Sequence, residues 1–320
     1  MIELAEIRRA REILGGVAIR TPLVRLEVDA PCEIHLKLET LQPVNSFKIR
    51  GAANVILQAS DDELRDGVLT ASAGNMAQGV AWAARARGVP ATIVVPEHAP
   101  ETKLAAIGRL GGRVIRVPYD EWWQTLVIGR YEGVDGLFVH PVDDDRVMAG
   151  NGTIGLELLE DLPDVDTVVV PYGGGGLLTG IASAVKALRP QTRFVAVEPE
   201  TGAPVSATLA AGEATPVEYR PSFVDGSGSR ELIPRVWAHA SQLLDSAWSA
   251  PLADVAAAVR LLAERARVVA EGAGALAVAA ALAGEAGEGK VVCIVSGGNI
   301  DLTVLSEILA GRVPGQVPAR

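Results

Sequence analysis

The stretch that decides the fold is Thr167-Val168-Val169-Val170-Pro171-Tyr172-Gly173-Gly174-Gly175-Gly176, followed directly by Leu177-Leu178-Thr179-Gly180-Ile181. Its first part predicts a strand buried on both faces, because the apolar residues are continuous rather than alternating. The residues from Leu177 to Ile181 predict the start of a helix. The four glycines between them leave the backbone bare, although glycine is entropically costly to order. The stretch therefore predicts a strand–turn–helix unit of a parallel sheet.

The same alternation of apolar runs and helical stretches continues along the whole chain. Strands are predicted at residues 33–38, 68–71, 91–95, 113–117, 137–139, 167–171, 193–198 and 290–295. Helices are predicted between them, for example at residues 49–59, 77–87, 101–110, 176–188 and 252–267. This order is typical of an α/β protein with open, mostly parallel twisted sheets and helices on both faces.

The order of the predicted elements indicates two domains. Residues 67–143 contain a βαβαβαβ run of their own and predict a small domain. Residues 1–66 and 144–320 then complete a larger sheet and predict the large domain. Ligands of open α/β sheets bind beyond the carboxyl ends of the strands, so we expect the active site in the cleft between the domains.

Composition argues against several classes of partner. The formal net charge of −10 disfavours nucleic acid and anionic membrane surfaces. Two cysteines imply no disulfide framework and fit a reducing cytosol, and the charged N-terminus does not resemble a signal peptide. None of the four histidines has metal-ligand spacing to another histidine or a cysteine, which disfavours a zinc hydrolase.

The glycine run predicts a phosphate-binding loop. Bare amides at a helix N-terminus converge on an anion, and the helix dipole adds positive charge there. Glu198 lies 22 residues after Gly176, near the spacing of a ribose-binding acid in dinucleotide sites. However, the G-x-G-x-x-G pattern is broken at Leu178 or Thr179, and no lysine follows the run. A phosphate monoester therefore fits better than a pyrophosphate.

A second stretch, Ser46-Phe47-Lys48-Ile49-Arg50-Gly51-Ala52, places a lysine at the start of a predicted helix. An amine attacks an aldehyde only when neutral, and burial lowers its pKa. Alone, this lysine is more simply a helix-capping residue. Together with the phosphate-binding loop, it indicates an amine that forms an imine with an aldehyde cofactor.

Two further turns supply polar groups for such a cofactor. In Ser72-Ala73-Gly74-Asn75, backbone amides and the serine hydroxyl suit a carboxylate, and the asparagine suits a phenolate oxygen. In Ser296-Gly297-Gly298-Asn299, a serine follows a strand and suits a ring nitrogen without adding charge. A neutral partner for that nitrogen favours elimination over transamination. Either turn alone also fits an ordinary helix cap.

With these four motifs in order, the sequence resembles the fold-type II pyridoxal-phosphate enzymes, the tryptophan synthase β-like family, over about residues 21–310. The lysine stretch resembles the threonine/serine dehydratase and serine racemase branch. The resemblance implies pyridoxal 5'-phosphate as cofactor, a small amino acid as substrate and a homodimer. Biosynthetic threonine deaminases carry a C-terminal regulatory domain, and none is expected here.

The resemblance also implies a role for each matching residue. Lys48 is the cofactor-binding lysine and the catalytic base. The other cofactor contacts are Phe47, Asn75, Gly173, Gly174, Gly175, Gly176, Leu177 and Ser296. Ser72, Ala73, Gly74 and Asn75 hold the substrate. Glu198 and Gly202 match residues that bind a monovalent or divalent cation in many relatives, but Pro204 replaces an aspartate used by the divalent-binding ones.

The predicted reaction is α,β-elimination of L-threonine or L-serine to a 2-keto acid and ammonia. Ala73 replaces the serine that acts as the second acid/base of related racemases, and Met76 replaces a histidine usual in that turn. Racemisation is therefore disfavoured. The alternatives on the same scaffold are a 3-hydroxyaspartate dehydratase, a serine racemase and a β-replacement enzyme. A nucleotide-binding protein without imine chemistry is the alternative from another class.

Overall fold

The computed structural model describes residues 1–315, which form two sheets flanked by helices. The strands are β1 (Leu23–Arg25), β2 (Glu33–Leu38), β3 (Val68–Ala71), β4 (Ala91–Pro96), β5 (Gly112–Val117), β6 (Leu137–Phe138), β7 (Thr167–Pro171), β8 (Arg193–Pro199), β9 (Ser246–Ala250) and β10 (Lys290–Val295). The helices are α1 (Leu4–Ile13), α2 (Lys48–Gln58), α3 (Asn75–Arg87), α4 (Glu101–Arg109), α5 (Tyr119–Ile128), α6 (Asp145–Asp161), α7 (Gly176–Leu188), α8 (Pro204–Ala211), α9 (Pro234–Ala240), α10 (Leu252–Leu261), α11 (Gly272–Leu282) and α12 (Leu302–Leu309). A short 3₁₀ helix (Glu39–Leu41) follows β2.

The larger sheet has six strands in the order β1-β2-β10-β7-β8-β9. All neighbours are parallel except β1 and β2, which are antiparallel. The central strands β7 and β10 are almost entirely apolar and buried, as expected for strands covered by helices on both faces. The hydrophobic core lies between these strands and the helices, with alanine-rich α11 buried against the sheet.

The smaller sheet has four parallel strands in the order β5-β4-β3-β6. All four lie within residues 67–143, and α3 packs against β3, β4 and β5. The predicted α/β architecture with two mostly parallel sheets is therefore confirmed. The exact division of the chain into domains stays a prediction.

Three local predictions were incomplete. Strand β1 was missed because it is three residues long, and β9 because its serines and alanines lack a β-branched pattern. The helix predicted over residues 252–267 was wrong in its second part. The α-helix ends at Leu261 and passes into a π-helical turn (Leu262–Ala266), and Arg267 has the left-handed φ of 58° that stops it.

The strand order reverses once in each sheet. From β7 the chain moves outward to β8 and β9 and then returns to the other side of β7 as β10. From β3 it moves outward to β4 and β5 and returns beside β3 as β6. Four segments directly follow the strands on either side of these reversals. They are the β3 loop (residues 72–75), the β6 loop (139–142), the β7 loop (172–176) and the β10 loop (296–299). Such reversals create the crevices in which α/β proteins bind ligands.

A helix that crosses a bilayer needs roughly 20 mostly apolar residues. Within residues 1–315, no helix is both long and apolar enough to do so.

Candidate active site

The four loops converge on one place. Asn299 of the β10 loop donates a hydrogen bond to Asn75 of the β3 loop over 2.7 Å. Val142 of the β6 loop packs on the β7 loop so closely that a Cβ on Gly174 would lie 2.7 Å from its Cγ2. The two sheets thus bring together turns that are far apart in the sequence.

Lys48 lies where these loops meet, as the first residue of α2. Its Nζ donates to the carbonyl oxygen of Pro141 in the β6 loop over 2.8 Å and lies 5.1 Å from the centre of the Phe47 ring. Burial lowers the pKa of Lys48 to about 8, although the carboxylate of Glu271 acts in the opposite direction. A substantial fraction of this amine is therefore neutral near physiological pH, as a nucleophile or base requires.

His140 fixes the loop that supplies the partner of Lys48. Its Nδ1 accepts hydrogen bonds from the amides of Val142 and Asp143, at 3.1 and 2.6 Å. Burial lowers the pKa of His140, which keeps this nitrogen free to accept. The ring therefore holds the turn in which the Pro141 carbonyl faces Lys48.

Asn75 is held at both ends of its amide. Its Oδ1 accepts from Asn299, whose other amide hydrogen goes to the carbonyl oxygen of Val44 over 2.9 Å. Its Nδ2 donates to the carboxylate of Glu271 over 2.7 Å. Since an amide nitrogen carries two hydrogens, one N–H of Asn75 remains for a ligand.

The β7 loop has the backbone of an anion-binding turn. Gly175 has a φ of +90°, and a Cβ there would lie 2.5 Å from the hydroxyl oxygen of Tyr172. Gly176 begins α7, and the first amides of a helix have no acceptor within it. Leu177 is buried beside them. The glycines thus admit an anion to within reach of the helix N-terminus.

The residues before Lys48 pair with the β10 loop. The amide of Phe47 donates to the carbonyl oxygen of Ser296 over 3.0 Å, and Ser46 and Gly297 form an isolated antiparallel bridge. Ser296 follows β10 directly and is buried. These bonds fix Lys48 relative to the carboxyl end of the large sheet.

The predicted substrate turn lies on the β3 loop, at the entrance to α3. The amide of Ser72 donates a hydrogen bond to the carbonyl oxygen of Val94. The Ser72 hydroxyl accepts a hydrogen bond from the amide of Gly74 over 3.2 Å. A Cβ built on Gly74 meets nothing within 4 Å, so this side of the turn is open. Ala73 presents no group that exchanges protons.

Glu198 is the penultimate residue of β8 and Gly202 follows that strand, outside the four loops. The Glu198 carboxylate caps α8, because it accepts from the amides of Val205 and Ser206 at 3.0 Å each. Burial raises the pKa of Glu198 to about 7. The carbonyl of Gly202 accepts from the Ser229 amide. Two oxygen-bearing residues fall short of the six or more oxygens of a divalent site, so a cation here stays a prediction.

Sequence reasoning missed Glu271 as part of the site. It follows an apolar run, Val268-Val269-Ala270, and belongs to none of the four motifs. The structure places it against Asn75, with its side chain buried. The available signal was a single acid between apolar residues, since a buried carboxylate needs partners.

Comparison with known proteins agrees with this geometry. The model of a family described as pyridoxal-phosphate dependent enzyme matches residues 16–297. The L-threonine ammonia-lyase of Thermotoga maritima is 42% identical over 97% of this chain and 78% of its own length. Maize serine racemase superposes with a TM-score of 0.88 at 33% identity, covering 96% of this chain and 97% of its own. The processed form of threonine deaminase isoform 2 from Solanum lycopersicum gives a TM-score of 0.86 at 32% identity, covering 96% and 86%. The chain belongs to the family of pyridoxal-phosphate-dependent enzymes.

Proposed function

We propose that this protein is a lyase that eliminates water from L-threonine or L-serine. The substrate loses its Cα proton and its β-hydroxyl group, and the released enamine hydrolyses to a 2-keto acid and ammonia. The observation that carries the proposal is Lys48: a partly buried amine with a lowered pKa at the meeting point of four loops. The similarity to the Thermotoga maritima L-threonine ammonia-lyase supports threonine as the first substrate to test.

The residues of the site fit pyridoxal phosphate. The four glycines of the β7 loop carry no side chains where a phosphate would approach. At Gly175 a Cβ would overlap the hydroxyl group of Tyr172. Asn75 has one N–H left for the ring hydroxyl oxygen. Within residues 1–315, the buried hydroxyl of Ser46 has no hydrogen-bond partner. When bound, the cofactor supplies an aldehyde that bonds to amines and a ring that accepts electrons from Cα.

Each residue of the site has a role in this proposal. Lys48 would hold the cofactor through its amine and, once that amine is free, would remove the Cα proton of the substrate. Gly173, Gly174, Gly175, Gly176 and Leu177 hold the phosphate, Asn75 the ring oxygen, Ser296 the ring nitrogen, and Phe47 packs beside the ring. Ser72, Ala73 and Gly74 hold the substrate carboxylate through their amides and the serine hydroxyl. Because Ala73 cannot exchange a proton on the opposite face, elimination is favoured over racemisation.

Trapping of the cofactor tests the proposal. Borohydride reduction of the yellow protein followed by peptide mass spectrometry should place the cofactor on Lys48. Lys48→Ala should lower kcat for threonine by 10²-fold or more, as is typical for loss of an acid/base group. The control Lys290→Ala removes an exposed lysine paired with Asp164 and should keep full activity. A protein that stays colourless after incubation with the cofactor would contradict the proposal.

A substrate panel separates the remaining reactions of this scaffold. Keto-acid release should be measured for the stereoisomers of serine, threonine and 3-hydroxyaspartate, with chiral analysis of the unreacted amino acid. We expect keto acid from the L-isomers and no inversion, because Ala73 lacks an acid/base group. Inversion of serine would instead support a racemase, and product formation that requires an added nucleophile would support β-replacement.

The assembly, the compartment and the cation belong to the proposal as well. We propose a homodimer, as the resemblance to the threonine dehydratase branch implies, and a cytosolic location, because the two cysteines imply no disulfide framework. Light scattering during size-exclusion chromatography measures the mass in solution. A cation at Glu198 and Gly202 is kept as a prediction, and no step of the reaction depends on it.

A further inference from the structure

Glu271 is a buried acid placed in the site by its position in the fold. It immediately precedes α11, and its amide donates to the carbonyl oxygen of Gly297 in the β10 loop over 3.0 Å. The Glu271 side chain occupies space that is free because residue 297 is a glycine. A Cβ on Gly297 would lie 2.4 Å from Oε1 of Glu271. The carboxylate is therefore fixed by the backbone at the edge of the β10 loop.

The carboxylate completes a chain of hydrogen bonds with a fixed direction. Asn299 donates both amide hydrogens, one to Val44 and one to Asn75. The oxygen of Asn75 must then face Asn299, so its nitrogen faces Glu271, which accepts at 2.7 Å. Without this acceptor, the Asn75 amide would lose the bond that determines where its second N–H points.

The charges around Glu271 come from several elements. Ser46, two residues before Lys48, bridges to Gly297, against which the Glu271 carboxylate lies, and this carboxylate favours the charged form of Lys48. Asp225 and Lys103, which pair with each other, also act on Glu271. Burial and the like charge of Asp225 raise the pKa of Glu271 to about 7, against the effect of the Asn75 hydrogen bond and Lys103. The carboxyl group therefore changes its charge in the pH range in which Lys48 must act.

We propose that Glu271 is a positioning residue that aims the Asn75 amide at the ring oxygen of the cofactor and controls the charge on the Lys48 nitrogen. The inference rests on the proposed roles of Lys48 and Asn75. It assigns two separable functions to one carboxylate: acceptance of a hydrogen bond and a negative charge. Ionised Glu271 favours the protonated nitrogen of Lys48, whereas protonated Glu271 does not.

Two variants separate these functions. Glu271→Gln keeps an oxygen acceptor for Asn75 and removes the charge. Glu271→Asp keeps the charge and shortens the side chain by one methylene, which withdraws the acceptor. Glu264→Gln, on the exposed π-helical turn, is the matched control for loss of an acid. Thermal unfolding of each variant comes first, so that only folded proteins are compared.

The first readout is the visible absorption of the cofactor-loaded full-length protein during pH titration. In Glu271→Gln, the midpoint of the spectral change should move to lower pH, because loss of the negative charge disfavours the protonated Lys48 nitrogen. The rate at which an amine reagent modifies Lys48 in the cofactor-free chain should rise about threefold at pH 7 for the same reason. In Glu271→Asp both should stay near wild type, while cofactor affinity falls several-fold.

The outcomes distinguish this inference from the proposed function. If Glu271→Gln leaves both the midpoint and the Lys48 reactivity unchanged while the cofactor still attaches to Lys48, the inference is wrong and the function stands. If Glu271→Gln does not fold, unchanged cofactor affinity in Glu271→Asp overturns the positioning role on its own. Failure of the wild-type protein to attach the cofactor at Lys48 contradicts the proposed function itself.

Discussion

At the scale of single residues, the site depends on the charge of one amine. Removal from water disfavours the ammonium form of Lys48, and its hydrogen bond to the Pro141 carbonyl replaces only part of its hydration. Glu271 offsets part of this effect. Burial outweighs the carboxylate, so the pKa of Lys48 lies near 8 rather than 10.5.

The first prediction concerns the reactivity of Lys48 in the cofactor-free protein. Its modification by an amine reagent should follow a titration with a midpoint near pH 8, measured by mass spectrometry of the peptide that contains it. At pH 7 its rate should exceed that of an ordinary lysine by roughly 300-fold, since the neutral fraction rises tenfold per unit of lowered pKa. Lys290, whose pKa is raised by its hydrogen bond to Asp164, serves as the internal comparison and should react more slowly than an ordinary lysine. A Lys48 midpoint above pH 10 would contradict the effect of burial.

At the scale of elements, the β7 loop shows why a glycine run is needed between a strand and a helix. Two constraints coincide at Gly175: its φ of +90° is unfavourable for other residues, and Tyr172 fills the space that a side chain would need. The Tyr172 side chain is itself fixed, because it is fully buried. The tyrosine therefore has little freedom to yield.

The second prediction compares two glycines with positive φ. Gly175→Ala should destabilise the protein by about 3 kcal/mol or more and weaken cofactor binding, because backbone strain and overlap with Tyr172 add. Gly212→Ala at φ +77°, where nothing lies within 4 Å, should cost only the strain of about 1–2 kcal/mol and leave cofactor binding unchanged. Urea unfolding and cofactor titration measure both effects. Equal costs at the two positions would contradict the role of Tyr172.

The elements that sequence alone could predict are those whose signals are local. The alternation of buried strands and helices, the glycine run and the lysine at the start of α2 are each contained in a few consecutive residues. The contact between Asn75 and Glu271 joins residues 196 positions apart, and no local pattern encodes it. Likewise, β9 is a strand because it pairs with β8, not because of its own composition.

At the scale of the whole molecule, a buried ionic network anchors the helix that begins at Lys48. Arg50 donates to Glu39 at 2.8 Å and to Glu157 at 2.6 Å, and Lys37 donates to Glu157 at 2.7 Å. These residues come from β2, the 3₁₀ helix, α2 and α6. Burial alone would lower the pKa of Arg50, but its two carboxylate partners raise it overall. The positive charges of Lys37 and Arg50 thus neutralise the negative charges of Glu39 and Glu157 within the core.

The third prediction is that Arg50 holds these elements together. Arg50→Met preserves an apolar stem of similar length but leaves two buried carboxylates with Lys37 alone. An uncompensated buried charge of this kind costs about 3–5 kcal/mol. The free energy of unfolding, measured in urea on the cofactor-free protein, should fall by that amount. Since α2 carries Lys48, cofactor affinity should fall as well.

Arg260→Met is the matched control for this change, because Arg260 pairs with Glu264 on the surface over 2.7 Å. An exposed pair of residues four apart contributes only about 0.3–0.5 kcal/mol. A strong effect of Arg50→Met beside a negligible effect of Arg260→Met would show that burial, rather than charge pairing in general, makes Arg50 necessary. A loss below about 1 kcal/mol for Arg50→Met would instead mean that water or rearranged side chains neutralise the remaining carboxylates, and that α2 is held by its apolar contacts with α3 and α6 alone.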